Sequence, residues 1–272
     1  MRIVVCTKQV VDPLTPLTSL ELDLARMRVL GPPNNAPVIN GFDEQALEAA
    51  LRLQETAGGD CEVIALAAGD RFALDVMKRS LAAGADELVL VEDAALNTWD
   101  SDFLARVLVA AIEHLGGADL ILCGRQASDW DNAQVPLLMA EMLGWTCLTL
   151  AREVTLDGRR VRVERVLSDG LQTMEGDLPA VVTVTSELGE LRYPTARARL
   201  QAARRRPRYL SLEDLGLAPD ASPAVDVRHL SLLDEGRDCH FVEGADGVEA
   251  GRRLAAILLE NGLVNAKRAE GN

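Results

Sequence analysis

The chain alternates short apolar runs with longer amphipathic segments, and this alternation restricts its fold more than any other feature. The runs are continuous stretches of Val, Ile, Leu and Ala, which indicates strands buried on both faces of a sheet. The segments between them repeat apolar residues every three or four positions, as amphipathic helices do. The predicted strands are 2–7, 61–67, 87–92 and 119–124, and the predicted helices are 43–59, 70–85, 101–117 and 132–145. We therefore expect an α/β fold with a parallel, doubly wound sheet.

The periodicity changes after about residue 150. The stretch "AREVTLDGRRVRVERV" alternates apolar and polar residues around Asp157-Gly158, a pair suited to a two-residue hairpin turn. Asp169-Gly170 then leads into "LQTMEGDLPAVVTVT". We expect antiparallel strands here, followed by a return to the parallel sheet in "AVVTVT" (180–185).

The C-terminal part has a different character. Residues 209–240 show little periodicity and contain several Pro and Asp, and one more amphipathic helix is predicted at 247–263. We predict an α/β domain at 1–208, which includes the added β-hairpin region, and a C-terminal arm with its helix at 209–272. A lone helix at the end of an arm needs a surface on which to pack.

Charge and cysteine content limit the partners and the compartment. The 272 residues carry a formal net charge of −14 at pH 7 and the pI is about 4.7, so we expect no nucleic-acid binding. No apolar run approaches the ~20 residues that cross a bilayer, so we expect no membrane insertion. The five cysteines form no C-x-x-C pair. They indicate reduced thiols in a cytoplasmic protein.

The polar stretch "CGRQASDWDNAQVP" (123–136) lies between a predicted buried strand and a predicted helix. In an open α/β sheet, ligands bind beyond the carboxyl ends of the strands, where helix N-termini offer N–H groups to anions. The stretch is therefore a candidate phosphate site. The loops "CTKQVVDP" and "ALAAGD" are expected at the same edge of the sheet, and "INGFDE" offers Asn40 or Asp43 as the N-cap of a helix.

The sequence offers no evident catalytic residue. Its three histidines are too scattered for a metal cluster, and neither the P-loop pattern nor a strand-linked G-x-G-x-x-G is present. The residues alone thus indicate a nucleotide-sized anion site without catalytic or metal-binding groups. A stand-alone nucleotide-binding regulatory protein of the universal-stress type would share this core. An adenine-nucleotide hydrolase is disfavoured, because no acid/base constellation is visible.

Seven segments, in order, resemble the β subunit of electron transfer flavoproteins, a family that includes nitrogen-fixation-linked and electron-bifurcating forms. They are "VVCTKQVVD", "INGFDEQALEAALRLQE", "MKRSLAAGADELVLVED", "DLILCGRQASDWDNAQV", "VERVLSDGLQTMEGDLPAVVTV", "ELRYPTARARLQAARRR" and "SLEDLGL". They cover roughly residues 1–217. The resemblance implies an adenine nucleotide α-hydrolase-like or universal-stress-like sheet.

The same resemblance implies an electron carrier subunit without a reaction of its own. It pairs with an α subunit that holds most of an FAD, and it receives electrons from a flavin dehydrogenase. The C-terminal arm then packs on the partner subunit. The β subunit itself encloses AMP in conventional members or a second FAD, at which NADH is oxidised, in bifurcating ones.

By this resemblance, the polar stretch wraps the phosphate of the nucleotide. The implied contacts are Cys6, Asn40, Gly41, Phe42, Asp43, Ala68, Gly124, Gln126, Asp129, Asp131, Asn132, Ala133, Gln134 and Val135. Asn132 is expected to begin the helix that follows. The segment "AQV" favours a second FAD, whereas "NGFDE" and Trp130, which replaces a glycine of bifurcating members, favour AMP. We therefore expect AMP, with a second FAD as the alternative.

The segment "ELRYPTARARLQAARRR" matches the loop with which conventional members recognise dehydrogenases. Six arginines fall between 197 and 208 in a chain that is otherwise acidic. The residues expected to dock the partner are Tyr193, Ala196, Leu200, Arg204, Arg205 and Arg206. Ala196 stands in place of the leucine that anchors acyl-CoA dehydrogenases in the family, so it offers less apolar surface to such a partner.

Overall fold

The computed structural model describes residues 1–57, 61–96, 99–219, 224–232 and 239–264. The chain falls into two compact units, Met1–Ser231 and Leu232–Asn272. Parts of the predicted arm, at 220–223, 233–238 and 265–272, lie outside the described residues.

The first unit contains the sheet strands and most of the helices. Its strands are β1 (Arg2–Cys6), β2 (Gln9–Val10), β3 (Glu21–Asp23), β4 (Arg28–Leu30), β5 (Val38–Ile39), β6 (Glu62–Gly69), β7 (Glu87–Glu92), β8 (Leu120–Gly124), β9 (Thr146–Asp157), β10 (Arg160–Leu167), β11 (Gly170–Asp177), β12 (Ala180–Val184) and β13 (Arg208–Leu210). Its helices are α1 (Gly41–Thr56), α2 (Leu74–Met77), α3 (Arg79–Ala83), α4 (Ser101–His114), α5 (Val135–Leu143) and α6 (Ala196–Arg204). The second unit contains α7 (Gly247–Glu260).

Nine strands form the main sheet in the order β11-β10-β9-β12-β8-β1-β6-β7-β13. From β9 to β13 every neighbouring pair is parallel, whereas β10 and β11 are antiparallel. The predicted parallel sheet is therefore confirmed, and so is the return of residues 180–184 to it. Two further strand pairs, β2 with β5 and β3 with β4, lie in the segment between β1 and α1.

Apolar cores cover both faces of the sheet. On one face, Ile3 and Val5 of β1 pack with the apolar side of α1. On the other face, Val4 and Cys6 pack with α4 and α5. Alternate side chains of the same strand thus enter opposite cores, which explains why this strand is a continuous apolar run.

The hairpin turn lies one residue later than the sequence indicates. Asp157 pairs with Arg160, so Gly158 and Arg159 form the turn. Gly158 has a φ of 58°, the left-handed conformation that the first turn residue adopts when a two-residue loop matches the twist of the strands. The turn between β10 and β11 is formed by Ser168 and Asp169, because Leu167 pairs with Gly170.

Two predicted helices differ in the structure. The helix expected at 70–85 is divided into α2 and α3 at Lys78, and Ser80 Oγ donates to the Met77 carbonyl at 2.7 Å, a side-chain bond that competes with regular helix. The helix expected from 132 begins only at Val135. Pro136 then occupies the first turn, where its missing N–H costs nothing.

Candidate functional site

The strand order reverses at β1, which lies between β6 and β8. On one side of β1 the chain continues through β6 and β7. On the other side lie β8 and β12. Where the order reverses, the loops after the two adjacent strands diverge and leave a crevice beyond their carboxyl ends, which is the usual ligand site of open α/β sheets.

The buried carboxylate of Asp43, in the first turn of α1, joins the ends of β1 and β8. Asp43 Oδ2 accepts from the Lys8 N–H at 2.8 Å, and Oδ1 accepts from the Gly124 N–H at 3.0 Å. Gly124 lacks a side chain for a reason, because a Cβ atom there would lie 2.4 Å from Asp43 Oδ1 and 2.6 Å from Phe42 Cβ. Burial raises the pKa of Asp43 to about 7, although hydrogen bonds from Lys8, Asn40 and Gly124 lower it. The carboxyl group that joins the two strand ends at the crevice therefore has a pKa near neutral pH.

Asn40 connects the same two loops through three hydrogen bonds. Its N–H donates to the Lys8 carbonyl at 2.8 Å, its side-chain amide donates to the Gln126 carbonyl at 2.8 Å, and its Oδ1 accepts from the Ser128 N–H at 3.2 Å. Asn40 occupies the N-cap position of α1, but its side chain caps no helix N–H. Asp43 lies inside α1 instead of at its cap.

The loop after β8 has an unusual backbone. Asp131 and Ala133 have φ values of 50° and 53°, a left-handed conformation that is uncommon outside glycine and excludes a helix that begins at Asn132. Gln126 Nε2 donates to Asp131 Oδ1 at 2.8 Å, and Asn132 Nδ2 donates to Ser101 Oγ at 3.2 Å. Because Ser101 is the first residue of α4, the loop is fixed between the N-terminal ends of α4 and α5.

A pocket lies over the crevice. Its empty space, including the open mouth, is about 680 Å³. Leu104 and Leu108 of α4 and Val135 of α5 supply apolar surface, and Trp130 of the loop after β8 also lines the pocket. Lys8 supplies the ammonium group, which pairs with Asp129 Oδ2 at 2.7 Å.

The pocket brings together many of the predicted contacts. Those that line it are Cys6, Asp43, Ala68, Gly124, Gln126, Asn132, Ala133, Gln134 and Val135. The predicted contacts that occupy other positions around it are Asn40, Gly41, Phe42, Asp129 and Asp131. Of these, Asn40 and Asp131 form hydrogen bonds that hold the loop after β8, and the Asp129 carboxylate pairs with the Lys8 ammonium group. The Arg125 guanidinium lies 4.9 Å from the centre of the Phe42 ring, and Gly41 is the exposed first residue of α1.

Some lining residues were missed by the sequence analysis. They include Thr7 and Lys8 after β1, and Ser101, Leu104 and Leu108 of α4. The loop "CTKQVVDP" was recognised, but the lysine within it was not assigned. The residues of α4 carried no signal, because periodicity identifies an apolar helix face without saying which strand ends that face covers.

Residues 190–206 contain the side chains that the sequence analysis expects to dock a partner, so we call them the docking segment. They lead from β12 into α6 and its end. Tyr193 is 82 % exposed and Leu200 is 66 % exposed, and the Arg199 guanidinium lies 4.9 Å from the centre of the Tyr193 ring. Ala196 is the first residue of α6, and Thr195 Oγ1 caps it by accepting from the Ala198 N–H at 3.2 Å. The segment thus presents apolar and cationic side chains together.

The three consecutive arginines of the docking segment differ in environment. All three are exposed. Arg205 also donates to the Ala85 carbonyl at 3.2 Å and to the Asp86 carbonyl. It therefore attaches the end of α6 to the loop before β7.

Two absences concern the described parts of the chain. No group of three or more His, Cys, Asp or Glu residues is placed to hold a metal ion. None of the described helices is both long enough and apolar enough to traverse a bilayer.

Comparison with known proteins identifies the family. The electron transfer flavoprotein domain matches residues 34–208, more than half of the chain. The chain belongs to the electron transfer flavoprotein family. It is 36% identical, over 213 residues, to the electron transfer flavoprotein subunit beta of Megasphaera elsdenii, a match that covers 75% of this chain and 76% of that protein.

Two further relatives of this electron transfer flavoprotein chain extend the comparison. The caffeyl-CoA reductase-Etf complex subunit CarD of Acetobacterium woodii is 34% identical over 269 residues, which cover 97% of this chain and 100% of that one. The electron transfer flavoprotein subunit beta of Mycobacterium tuberculosis (strain H37Rv) is 30% identical over 186 residues, or 67% of this chain and 70% of that one. These relatives support a β subunit that takes part in electron transfer. The stand-alone universal-stress alternative is not favoured.

Proposed function

We propose that this chain is the β subunit of a heterodimeric electron transfer flavoprotein, with AMP bound in the pocket at the strand-order reversal. An α subunit holds most of the FAD, which supplies the redox chemistry. Electrons arrive from a flavin dehydrogenase that binds the docking segment. The observation that carries the proposal is the coincidence of the pocket with the family's expected nucleotide residues. The expected cytoplasmic location stays a prediction.

The groups around the pocket suit a phosphate. The first turns of α4 and α5 begin at the pocket, and N–H groups in a first turn have no acceptor within their own helix. Lys8 adds a positive charge, and the side-chain amides of Gln126 and Asn132 add neutral donors. An anion in this position would therefore meet main-chain, amide and ammonium donors at once.

The other groups of the pocket suit an adenine ring and favour AMP over a second FAD. Leu104 and Leu108 provide an apolar wall, and the half-buried Trp130 occupies space where bifurcating members carry a glycine. A flat aromatic ring packs well on such surfaces. A second FAD is the alternative, and the similarity to a subunit of a caffeyl-CoA reductase-Etf complex is the observation in its favour.

Nucleotide extraction decides between these candidates. The heterodimer, co-expressed with its α subunit, is denatured in acid and the released nucleotides are separated by chromatography. One FAD and one AMP per heterodimer are expected. Two FAD without AMP would replace the proposal by a bifurcating carrier that oxidises NADH at the second flavin. No adenine nucleotide apart from one FAD would refute the pocket assignment altogether.

Asn132→Ala tests the pocket directly. The change removes an amide donor beside the expected phosphate and the bond to Ser101, so AMP affinity should fall about tenfold, as for loss of one hydrogen bond to a charged group. Equilibrium dialysis of the AMP-depleted heterodimer measures it. Gln201→Ala, an exposed change on α6, is the matched control and should leave AMP affinity unchanged. Equal affinities for all three proteins would exclude Asn132 from the site.

The proposed C-terminal arm, 209–272, carries the contact with the α subunit. Its helix α7 has an apolar side that includes Val248, Leu254 and Leu259, and none of the residues of α7 is buried. A single amphipathic helix cannot bury its own apolar side. Size-exclusion chromatography with and without the α subunit tests this part of the proposal, and a stable monomer that ignores the α subunit would contradict it.

A further inference from the structure

A buried glutamate on α1 binds the start of the docking segment. Glu48 is only 5 % exposed. Its Oε2 accepts from the main-chain N–H and from Nε of Arg192, each at 3.0 Å, and its Oε1 accepts from Arg192 Nη2 at 3.1 Å. One side chain therefore fixes both the backbone and the guanidinium of a residue 144 positions later in the chain.

Two neighbours complete this ion-pair cluster. Arg52, one turn further along α1, donates to Glu48 Oε1 at 2.9 Å and to the Leu188 carbonyl at 3.1 Å. Arg192 Nη1 also pairs with Glu55. The backbone at Leu188 and at Arg192 is thus attached to the same face of α1, on both sides of Gly189 and Glu190.

The charges and hydrogen bonds of the cluster favour a single conformation of the chain at the start of the docking segment. Burial alone would raise the pKa of Glu48, but hydrogen bonds from Arg192 and Arg52 outweigh it and the pKa lies below its usual value. Removing Arg192 would leave the buried Glu48 carboxylate with Arg52 as its remaining partner in the cluster, and incomplete pairing of a buried charge is costly. Further along the docking segment, Thr195 caps α6 and Arg205 attaches its end, so the Glu48–Arg192 pair fixes the start of the segment.

We propose that Glu48 and Arg192 are positioning residues that hold the docking segment in its binding conformation before a dehydrogenase arrives. The inference rests on the proposed function of that segment. A loop already ordered in the free protein loses less conformational entropy on association, so the complex forms more tightly than it would with a mobile loop. This pair, which we call the clamp, affects binding of the dehydrogenase and leaves the flavin chemistry unchanged.

Arg192→Gln in the co-expressed heterodimer tests the clamp, with Arg192→Lys as the conservative variant. Arg160→Gln is the matched control, because Arg160 is also an ion-paired arginine but lies on the hairpin strand β10. The first measurement is amide hydrogen exchange of residues 189–196, which needs no partner. The second is the KM and kcat of a purified flavin dehydrogenase that reduces the wild-type heterodimer.

In Arg192→Gln we expect exchange in residues 189–196 to accelerate at least about tenfold, because the segment opens locally without its buried pair. The KM for the heterodimer should rise about tenfold while kcat stays within about twofold, since binding alone depends on the clamp. Arg192→Lys should recover part of the KM, because it restores the charge without the bidentate geometry. Arg160→Gln should change neither measurement.

Other outcomes separate this inference from the proposed function. Unchanged exchange, or a fall in kcat with an unchanged KM, overturns the clamp. If Arg204→Gln/Arg206→Gln raises the KM but Arg192→Gln does not, the docking segment is correct and only the clamp is refuted. If faster exchange is accompanied by an unchanged KM in both variants, the dehydrogenase binds elsewhere, and the proposed docking function fails together with the inference.

Discussion

The pocket and the docking segment are both attached to α1, but through different kinds of interaction. At the N-terminal end of α1, Asp43 and Asn40 bind main-chain groups of two loops. Further along the helix, Glu48 binds the charged side chain of Arg192 in addition to its main-chain N–H. Buried bonds to main-chain groups depend on fit and on protonation, whereas exposed arginines of the docking segment such as Arg204 and Arg206 interact through charge, which salt screens. Changes at the pocket should therefore alter stability and pH dependence, and changes at the docking surface should alter association.

Gly124→Ala should have the largest effect, because it disturbs the fit of the pocket itself. The added Cβ would lie 2.4 Å from Asp43 Oδ1 and 2.8 Å from the Phe42 carbonyl carbon, so α1 or β8 must shift. We expect a loss of about 3 kcal/mol in the free energy of unfolding, the upper part of the usual range for overpacking. Urea unfolding of the heterodimer measures it.

Gly41→Ala is the matched control for this substitution. Gly41 is exposed at the first position of α1, does not line the pocket, and an added Cβ there meets nothing within 4 Å. Alanine is the better helix former there, so the same chemical change should leave stability unchanged or raise it slightly. A Gly124→Ala protein as stable as the control would show that the approach between β8 and α1 is looser than the structure describes.

Asp43→Asn should change how stability depends on pH. The pKa of Asp43 is raised from 3.8 to about 7 in the folded state, so the folded protein binds more protons than the unfolded chain between these values. The contribution of Asp43 to stability is then greatest below pH 4 and falls as pH rises towards 7. The stability of the wild type minus that of Asp43→Asn should decrease by about 1.4 kcal/mol per pH unit in this window.

Parallel unfolding measurements at pH 5, 6, 7 and 8 test this expectation. Asp75→Asn, the same change at an exposed carboxylate in α2, is the matched control and is measured at the same four pH values. A flat difference for Asp43→Asn would mean that the carboxyl does not titrate near neutrality, and that the pocket has no link to pH through this residue.

The smallest effect should separate Arg205 from its neighbours Arg204 and Arg206. Arg204→Gln/Arg206→Gln removes exposed charges, so stability should change by less than about 0.5 kcal/mol while association with the dehydrogenase slows several-fold at low salt. Arg205→Gln should instead lower stability by about 1 kcal/mol, because Arg205 binds the carbonyls of Ala85 and Asp86. Stopped-flow reduction of the heterodimer by the dehydrogenase at two salt concentrations measures association, and thermal unfolding measures the stability of each variant. Identical behaviour of the two variants would contradict the assigned environments.

The sequence predicted the sheet well because its strands are marked by local patterns. The run at 87–92 coincides with β7, and the strand at 119–124 differs from β8 by one residue. The start of α5 was missed because the left-handed backbone at Asp131 and Ala133 belongs to residues that usually avoid it. Apolar periodicity carries no information about such loop conformations.

Long-range polar contacts were beyond what the sequence could show. Nothing local marks Glu48 as the partner of Arg192, or Arg205 as the residue that attaches the end of α6 to the loop before β7. The role of Asp43 was also hidden, since an acidic residue near a helix start is normally a favourable charge at the N-terminus. Its position between two strand ends follows only from the sheet order.

The two edges of the main sheet bear on how the chain avoids aggregation. The edge strand β13 is only three residues long and follows Pro207, which has no N–H to offer to a neighbouring strand. At the other edge, β11 is eight residues long but carries Glu175 and Asp177. Short, proline-flanked or charged edges discourage strand addition by another copy of the chain. A protein that must expose apolar surface to partners can thus remain free of edge-to-edge self-association.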